Sequence, residues 1–150
     1  MIFQVGSMLS NSSKYALKAV LYLAVNTDHE NKMQVREISD NLEIPKAYTA
    51  KLMQQLARTD IISSSRGPKG GFYLSEENRN QSLMSVVEAI DGKIKLESCI
   101  LGLRNCDEEK PCPLHFYINK SRDQLLQTLY TKSIEDMASD LREKKSFLPL

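Results

Sequence analysis

Tryptophan is absent from this chain, and no uninterrupted apolar stretch approaches the roughly 18 residues that a membrane-spanning helix requires. The basic start, short apolar run and small-residue cleavage site of a signal peptide are also missing, so the sequence predicts a cytoplasmic protein. An excess of one charge is lacking: 20 Lys and Arg against 19 Asp and Glu leave a formal net charge of +1. That balance neither demands nor excludes nucleic acid, and it makes the local distribution of charge decisive. No glycine-rich cofactor motif and no Cys-x-x-Cys pair is present, which disfavours a redox enzyme and predicts that the protein is not an enzyme. Cysteine is scarce, yet its three copies all fall between positions 99 and 112. An odd, clustered set fits a secreted disulfide framework poorly and points to thiolates gathered for metal or redox chemistry.

At 150 residues the chain has the size of one domain with an appendage and needs no disulfides to fold. Residues 1–7 precede a second methionine, Met8, and read as a loose extension or an expression remnant. From Asn11, Leu17, Val20, Leu21 and Ala24 recur at helical spacing and predict an amphipathic helix that stops at the polar run from Asn26 to Asn31. Two shorter helical patterns follow, Val35, Ile38 and Leu42 in one and Leu52, Met53 and Leu56 in the next. Pro45 between them suits the first position of the second helix. A short helix, a tight turn and a longer helix is the outline of a helix-turn-helix.

Ile61 to Ser65 and Phe72 to Ser75 read as strands around the loop Arg66-Gly67-Pro68-Lys69-Gly70-Gly71, a β-hairpin with a basic tip. Ser82 caps a helix carrying Leu83, Val86, Val87 and Ile90 that ends at Gly92, where a left-handed cap is expected. Positions 93–113 lack periodicity and hold every cysteine. A stripe of Leu114, Tyr117, Ile118, Leu125, Leu126, Leu129 and Tyr130 then marks a long helix, and Ser133 with Asp136 marks the capping box of a last short one. The expected fold is mainly α with a small β-hairpin wing. Its parts are a winged helix-turn-helix over 8–92, a cysteine loop over 93–113, and a long helix with a short C-terminal helix over 114–145.

This order of elements points to double-stranded DNA as partner. The second helix of a helix-turn-helix enters the major groove, where Lys46, Tyr48, Thr49, Lys51 and Gln54 are the candidates for bases and phosphates. Arg66 and Lys69 on the wing extend that set, because arginine suits guanine edges and narrow minor grooves. Two helices and a turn taken alone are as often plain helical packing; the basic hairpin immediately downstream favours DNA.

Cys99, Cys106, Cys112 and His115 place four soft or borderline donors within seventeen positions, with six, five and two residues between successive members. Thiolates hold iron-sulfur clusters, and imidazole can replace one of them at iron. Structural zinc takes the same residue types but usually with paired two-to-four-residue spacings. A thiol-disulfide switch needs no metal, and His115 by itself also reads as a capping or surface residue.

Together, Lys14-Tyr15-Ala16, Ile44-Pro45, the wing from Ser65 to Leu74 and the three-cysteine loop resemble the Rrf-type family of winged-helix transcription regulators. The resemblance spans about Met8 to Leu141. It implies a homodimer paired through the long helix after the cysteines, reading a near-palindromic operator with half-sites one helical turn, roughly 34 Å, or a multiple apart. It also implies an iron-sulfur cluster on Cys99, Cys106, Cys112 and His115 and a regulator, in the first place a repressor, that senses cluster status or redox stress.

The order of three cysteines, a two-residue gap and histidine is similar to the IscR type, which implies a 2Fe-2S cluster, although the first gap here is one residue longer. Regulators of the NsrR type sense nitric oxide through a 4Fe-4S cluster that also takes an aspartate from the partner's first helix. Lys14 stands at the corresponding position here, which argues against that alternative. Ala50 replaces an acidic residue through which IscR-type proteins discriminate between promoters, so that form of discrimination does not carry over.

Overall fold

The computed structural model describes residues 9–93, 101 and 108–148, and every structural statement below refers to them. The first helix, α1 (Asn11–Asn26), begins where the Ser10 hydroxyl accepts from the Ser13 amide at 3.0 Å. Its buried face is Ser13, Ala16, Ala19, Val20, Leu23 and Ala24. The expected stripe was centred elsewhere: Leu17 and Leu21 lie half-buried at its margin. The reason is steric. α1 is the central helix of the molecule, packed against both α5 (Leu83–Asp91) and α7 (Ile134–Arg142), and the three alanines let neighbours approach its axis closely.

The helix-turn-helix consists of α2 (Val35–Leu42) and α3 (Lys46–Arg58), which pack on each other. Glu43 closes α2 in a left-handed conformation (φ 53°, ψ 41°), and the buried Ile44 then turns the chain. Pro45 stands one position earlier than expected: at ψ 132° it is the extended N-cap and not the first helical residue. Ile38, Leu42, Leu52, Met53 and Leu56 are buried, so these helices contribute to the core as their periodicity predicts.

The hairpin is shorter than its apolar flanks suggest. Strands β1 (Ser63–Ser65) and β2 (Gly71–Tyr73) pair antiparallel with Ser64 opposite Phe72, whereas Ile61 and Ile62 are buried before the ladder begins. Ser75 leaves the ladder to cap a one-turn helix, α4 (Glu76–Arg79), that the sequence reading did not foresee. α5 follows, capped by Ser82 as expected. Gly92 ends it with φ 74° and ψ 170°, a positive-φ but extended geometry in place of the left-handed cap.

The long helix α6 (His115–Thr131) and the capping box of Ser133 and Asp136 at α7 match the sequence pattern. The starts of α5 and α7 are pinned side by side: the Leu83 amide donates to Lys132 at 2.9 Å and the Ile134 amide to Gln81 at 2.9 Å. Arg79 closes the bottom of the bundle. Its guanidinium donates to the carbonyls of Ala24 (2.6 Å) and Thr27 (2.8 Å), satisfying the C-terminal end of α1, and pairs with Glu135 at 3.2 Å. Along α6 only Leu129 of the apolar stripe is fully buried; Leu125 and Leu126 pack partly on the core, while Leu114, Tyr117 and Tyr130 stand exposed.

A candidate nucleic-acid interface and the cysteine segment

The segment leading into α2 and the wing are held together by backbone hydrogen bonds. Met33, just before α2, exchanges hydrogen bonds with Phe72 of β2, its amide donating at 2.9 Å and that of Phe72 returning at 2.7 Å. The wing is thereby fixed to the helix-turn-helix as a third, one-residue strand pairing. Gly71 makes this possible. It has φ 151°, and a Cβ there would lie 2.6 Å from the Met33 carbonyl oxygen, so an L-side chain meets both backbone strain and collision. At the tip the Gly70 amide donates to Gly67 at 2.9 Å around Pro68 and Lys69, a β-turn with proline at its favoured second position.

One cleft is lined by Gln34, Val35, Arg36, Lys46, Ser65, Gly67, Gly70, Gly71 and Phe72, bringing the start of α2, the first residue of α3 and the wing onto one surface. Lys46, Lys51 and Gln54 are exposed on α3, with Ala47, Ala50 and Arg58 continuing that face at helical spacing. Arg66 and Lys69 are exposed on the wing. Among the described residues none of Lys46, Lys51, Arg66 and Lys69 is in an ion pair, so four cations present charge to solvent.

Two candidates lie off this face. Thr49 is fully buried, and its hydroxyl donates to the Pro45 carbonyl at 3.1 Å; the side chain belongs to the core, a correction to its reading as a DNA contact. Burial follows from its place on the Thr49, Leu52, Met53 and Leu56 face that packs inward. Tyr48 is half-buried between α1 and α3. Its hydroxyl donates to Ser12 Oγ at 2.8 Å or accepts from it, and its ring meets Tyr15 edge-on at 5.8 Å. Sequence reasoning missed Gln34 and Arg36. Arg36 stands 81% exposed beside the wing with a 3.9 Å contact to Asp40, and its position in the first turn of α2 was the available signal.

Of the cysteine segment, Cys99 and Cys106 lie outside the described residues. Cys112 is a half-buried free thiol at the entry to α6, and the His115 amide donates to its carbonyl at 3.0 Å, so these two donors share one turn. His115 is 5% exposed, with Nε2 2.8 Å from Asn119 Nδ2, and Asn119 Oδ1 accepts from Arg122.

Comparison with known proteins gives consistent results over most of the chain. The model of the Rrf2 family, described as an iron-dependent transcriptional regulator, matches residues 9–140. A protein of Aquifex aeolicus assigned as an HTH-type transcriptional regulator is 30% identical over 142 residues, covering 93% of this chain and 96% of its own length. The HTH-type transcriptional regulator NsrR of Geobacillus kaustophilus is 25% identical, covering 93% of this chain and 95% of that protein. Among solved structures, IscR of T. potens superposes with a TM-score of 0.69 at 19% identity, covering 96% of this chain and 95% of that one, a likeness of fold.

Proposed function

This chain belongs to the Rrf2 family of transcriptional regulators, and from that premise we propose that it is a homodimeric repressor whose affinity for operator DNA is set by an iron-sulfur cluster. One observation carries the DNA-reading surface: the first residue of α3, Lys46, shares a cleft with the head of α2 and the wing, and Lys46, Lys51, Arg66 and Lys69 are exposed with no ion pair among the described residues. Lys46, Lys51 and Gln54 would meet the major groove, with Arg66 and Lys69 reaching the flanking backbone or minor groove. Arg36, at the head of α2, sits where a helix-turn-helix meets phosphate. Tyr48, seated against α1, supports this surface and does not form its exposed face.

The residues present fit a cluster. Three thiolates and an imidazole are a suitable donor set for iron and sulfide, and Cys112 and His115 stand at the two ends of one turn. Cys99, Cys106 and Cys112 would hold the group, with His115 as fourth donor. The Asn119 amide, 2.8 Å from Nε2 and itself held by Arg122, fixes the orientation of the buried imidazole ring. When bound, the cluster supplies a redox- and oxidant-sensitive centre. What this chain's residues contribute is connectivity, since the cysteines lie in the sequence between α5, which packs on α1 and α3, and α6.

The homodimer is supported by α6, which leaves Leu114 (40%), Phe116 (73%), Tyr117 (78%) and Tyr130 (51%) exposed in a single chain. Apolar surface of that extent on one helix suits a second copy.

Anaerobic purification followed by iron, sulfide and zinc analysis and an absorption spectrum tests the cluster on wild type and Cys106→Ala. Iron and sulfide in wild type alone are expected, and their ratio to protein distinguishes a 2Fe-2S from a 4Fe-4S centre. Stoichiometric zinc, or no metal after anaerobic reconstitution, would move the signal to a structural site or a thiol switch and leave the DNA-binding dimer standing.

A further inference from the structure

The last turn of α5 is fastened to three other helices by side-chain hydrogen bonds. Glu88 accepts from the Tyr130 hydroxyl of α6 at 3.2 Å, the Ala89 carbonyl accepts from Gln55 Nε2 of α3 at 3.0 Å, and the Asp91 carboxylate accepts at the head of α1. Asp91 takes the Ser10 hydroxyl at 2.6 Å, the Ser13 hydroxyl at 2.8 Å and the Ser10 amide at 3.3 Å. These are charge-assisted bonds across 81 and 78 positions of sequence, placed where the α1 dipole favours a negative group. Between those serines lies Ser12, the partner of the Tyr48 hydroxyl on α3.

α3 is therefore held at two points, Gln55 in its second half and Tyr48 in its first, and both lead back to the end of α5, one directly and one through α1. We propose that Asp91 is a positioning residue for DNA recognition: by fixing the head of α1 to the end of α5 it sets the seat of Tyr48, and with it the pitch at which α3 meets a duplex. This rests on the DNA-binding reading above. Asp91 itself does not line the cleft and acts through Ser10, Ser13 and Tyr48. A carboxylate that only stabilised the fold would lower the folded fraction when removed, yet leave the folded protein's choice of sequence intact. A positioning group changes that choice.

The test is a double-mutant cycle on the full-length protein, with Asp91→Ala, Tyr48→Phe and the pair, and with Ser13→Ala as a milder break if Asp91→Ala folds poorly. The probes are the duplex that wild type enriches from a randomised pool and a scrambled duplex of the same composition, and urea unfolding of each variant reports stability separately. Each single substitution is expected to weaken binding to the preferred duplex by about tenfold, with the scrambled duplex changed by less than about twofold. The pair is expected to bind no more weakly than the worse single variant, and Asp91→Asn, which keeps one acceptor oxygen, to recover part of the loss. Effects that multiply in the pair, or equal losses on both duplexes, would overturn the positioning role while leaving DNA binding in place. If wild type enriches no sequence at all, the DNA-binding reading fails and takes this inference with it.

Discussion

At the scale of single residues, the wing is where chemistry and backbone constraint meet. Arg66 has no ion-pair partner among the described residues and stands beside a turn that glycine and proline fix. Arg66→Ala is expected to weaken DNA binding by about 1 to 3 kcal/mol and to reduce the slope of log affinity against log salt by about one, measured by titration across salt concentrations. Unchanged affinity and slope would remove Arg66 from the interface. Gly71→Ala acts by another route, since the new Cβ collides with the Met33 carbonyl at a φ that alanine resists. It should cost on the order of 1 to 3 kcal/mol in urea unfolding and loosen the wing from α2; a wild-type unfolding midpoint would show that the bridge between Met33 and Phe72 tolerates a side chain.

At the scale of elements, helix ends decide where chain segments join. Ser133 and Asp136 cap α7 reciprocally, the Asp136 amide donating to Ser133 Oγ at 3.0 Å and the Ser133 amide to Asp136 Oδ2 at 2.8 Å. Because α7 packs on α1, Ser133→Ala is expected to lower stability by about 1 kcal/mol in denaturant unfolding with little change in DNA affinity after correction for folded fraction. Hydrogen bonds from Ser133 hold the Asp136 carboxyl below the usual carboxylate range. A carboxyl lowered in the folded state contributes fully above its unfolded pKa and loses that contribution as pH falls through the lowered value. Asp136→Asn should therefore flatten the acid limb of the stability profile, and an unaltered limb would show that the cap does not titrate with folding.

At the scale of the whole molecule, the expected assembly and the exposed surface of α6 make one argument. Tyr117 is 78% exposed in the single chain, and a charge there adds nothing unfavourable to the monomer's core. Tyr117→Asp is expected to shift the protein to monomer in sedimentation equilibrium, and to weaken operator binding by far more than it weakens binding to a single half-site, because two recognition helices must engage together. A dimer that persists with normal operator affinity would place the interface elsewhere. The same logic separates assembly from recognition: Arg66→Ala should leave the dimer intact.

The described elements other than α4, and most of the core, were legible in the sequence. Periodicity gave α2, α3, α5 and α6, serine caps gave the starts of α5 and α7, and the glycines and proline after Ser65 gave the wing, because each depends on neighbours within a few residues. The cysteine spacing was legible too, although Cys99 and Cys106 fall outside the described residues. Which face of α1 is innermost was settled only by packing, since burial from both sides selects Ala16, Ala19 and Ala24 over the larger Leu17 and Leu21. Thr49 and Tyr48 were drawn inward for the same reason: helical spacing places a residue on a face, and only the neighbours packed there determine whether that face meets core or solvent. The bonds of Arg79 to α1 and of Asp91 to Ser10 and Ser13 join residues more than fifty positions apart. Local pattern carries no trace of such pairs, because their energy exists only once the chain has brought both partners together.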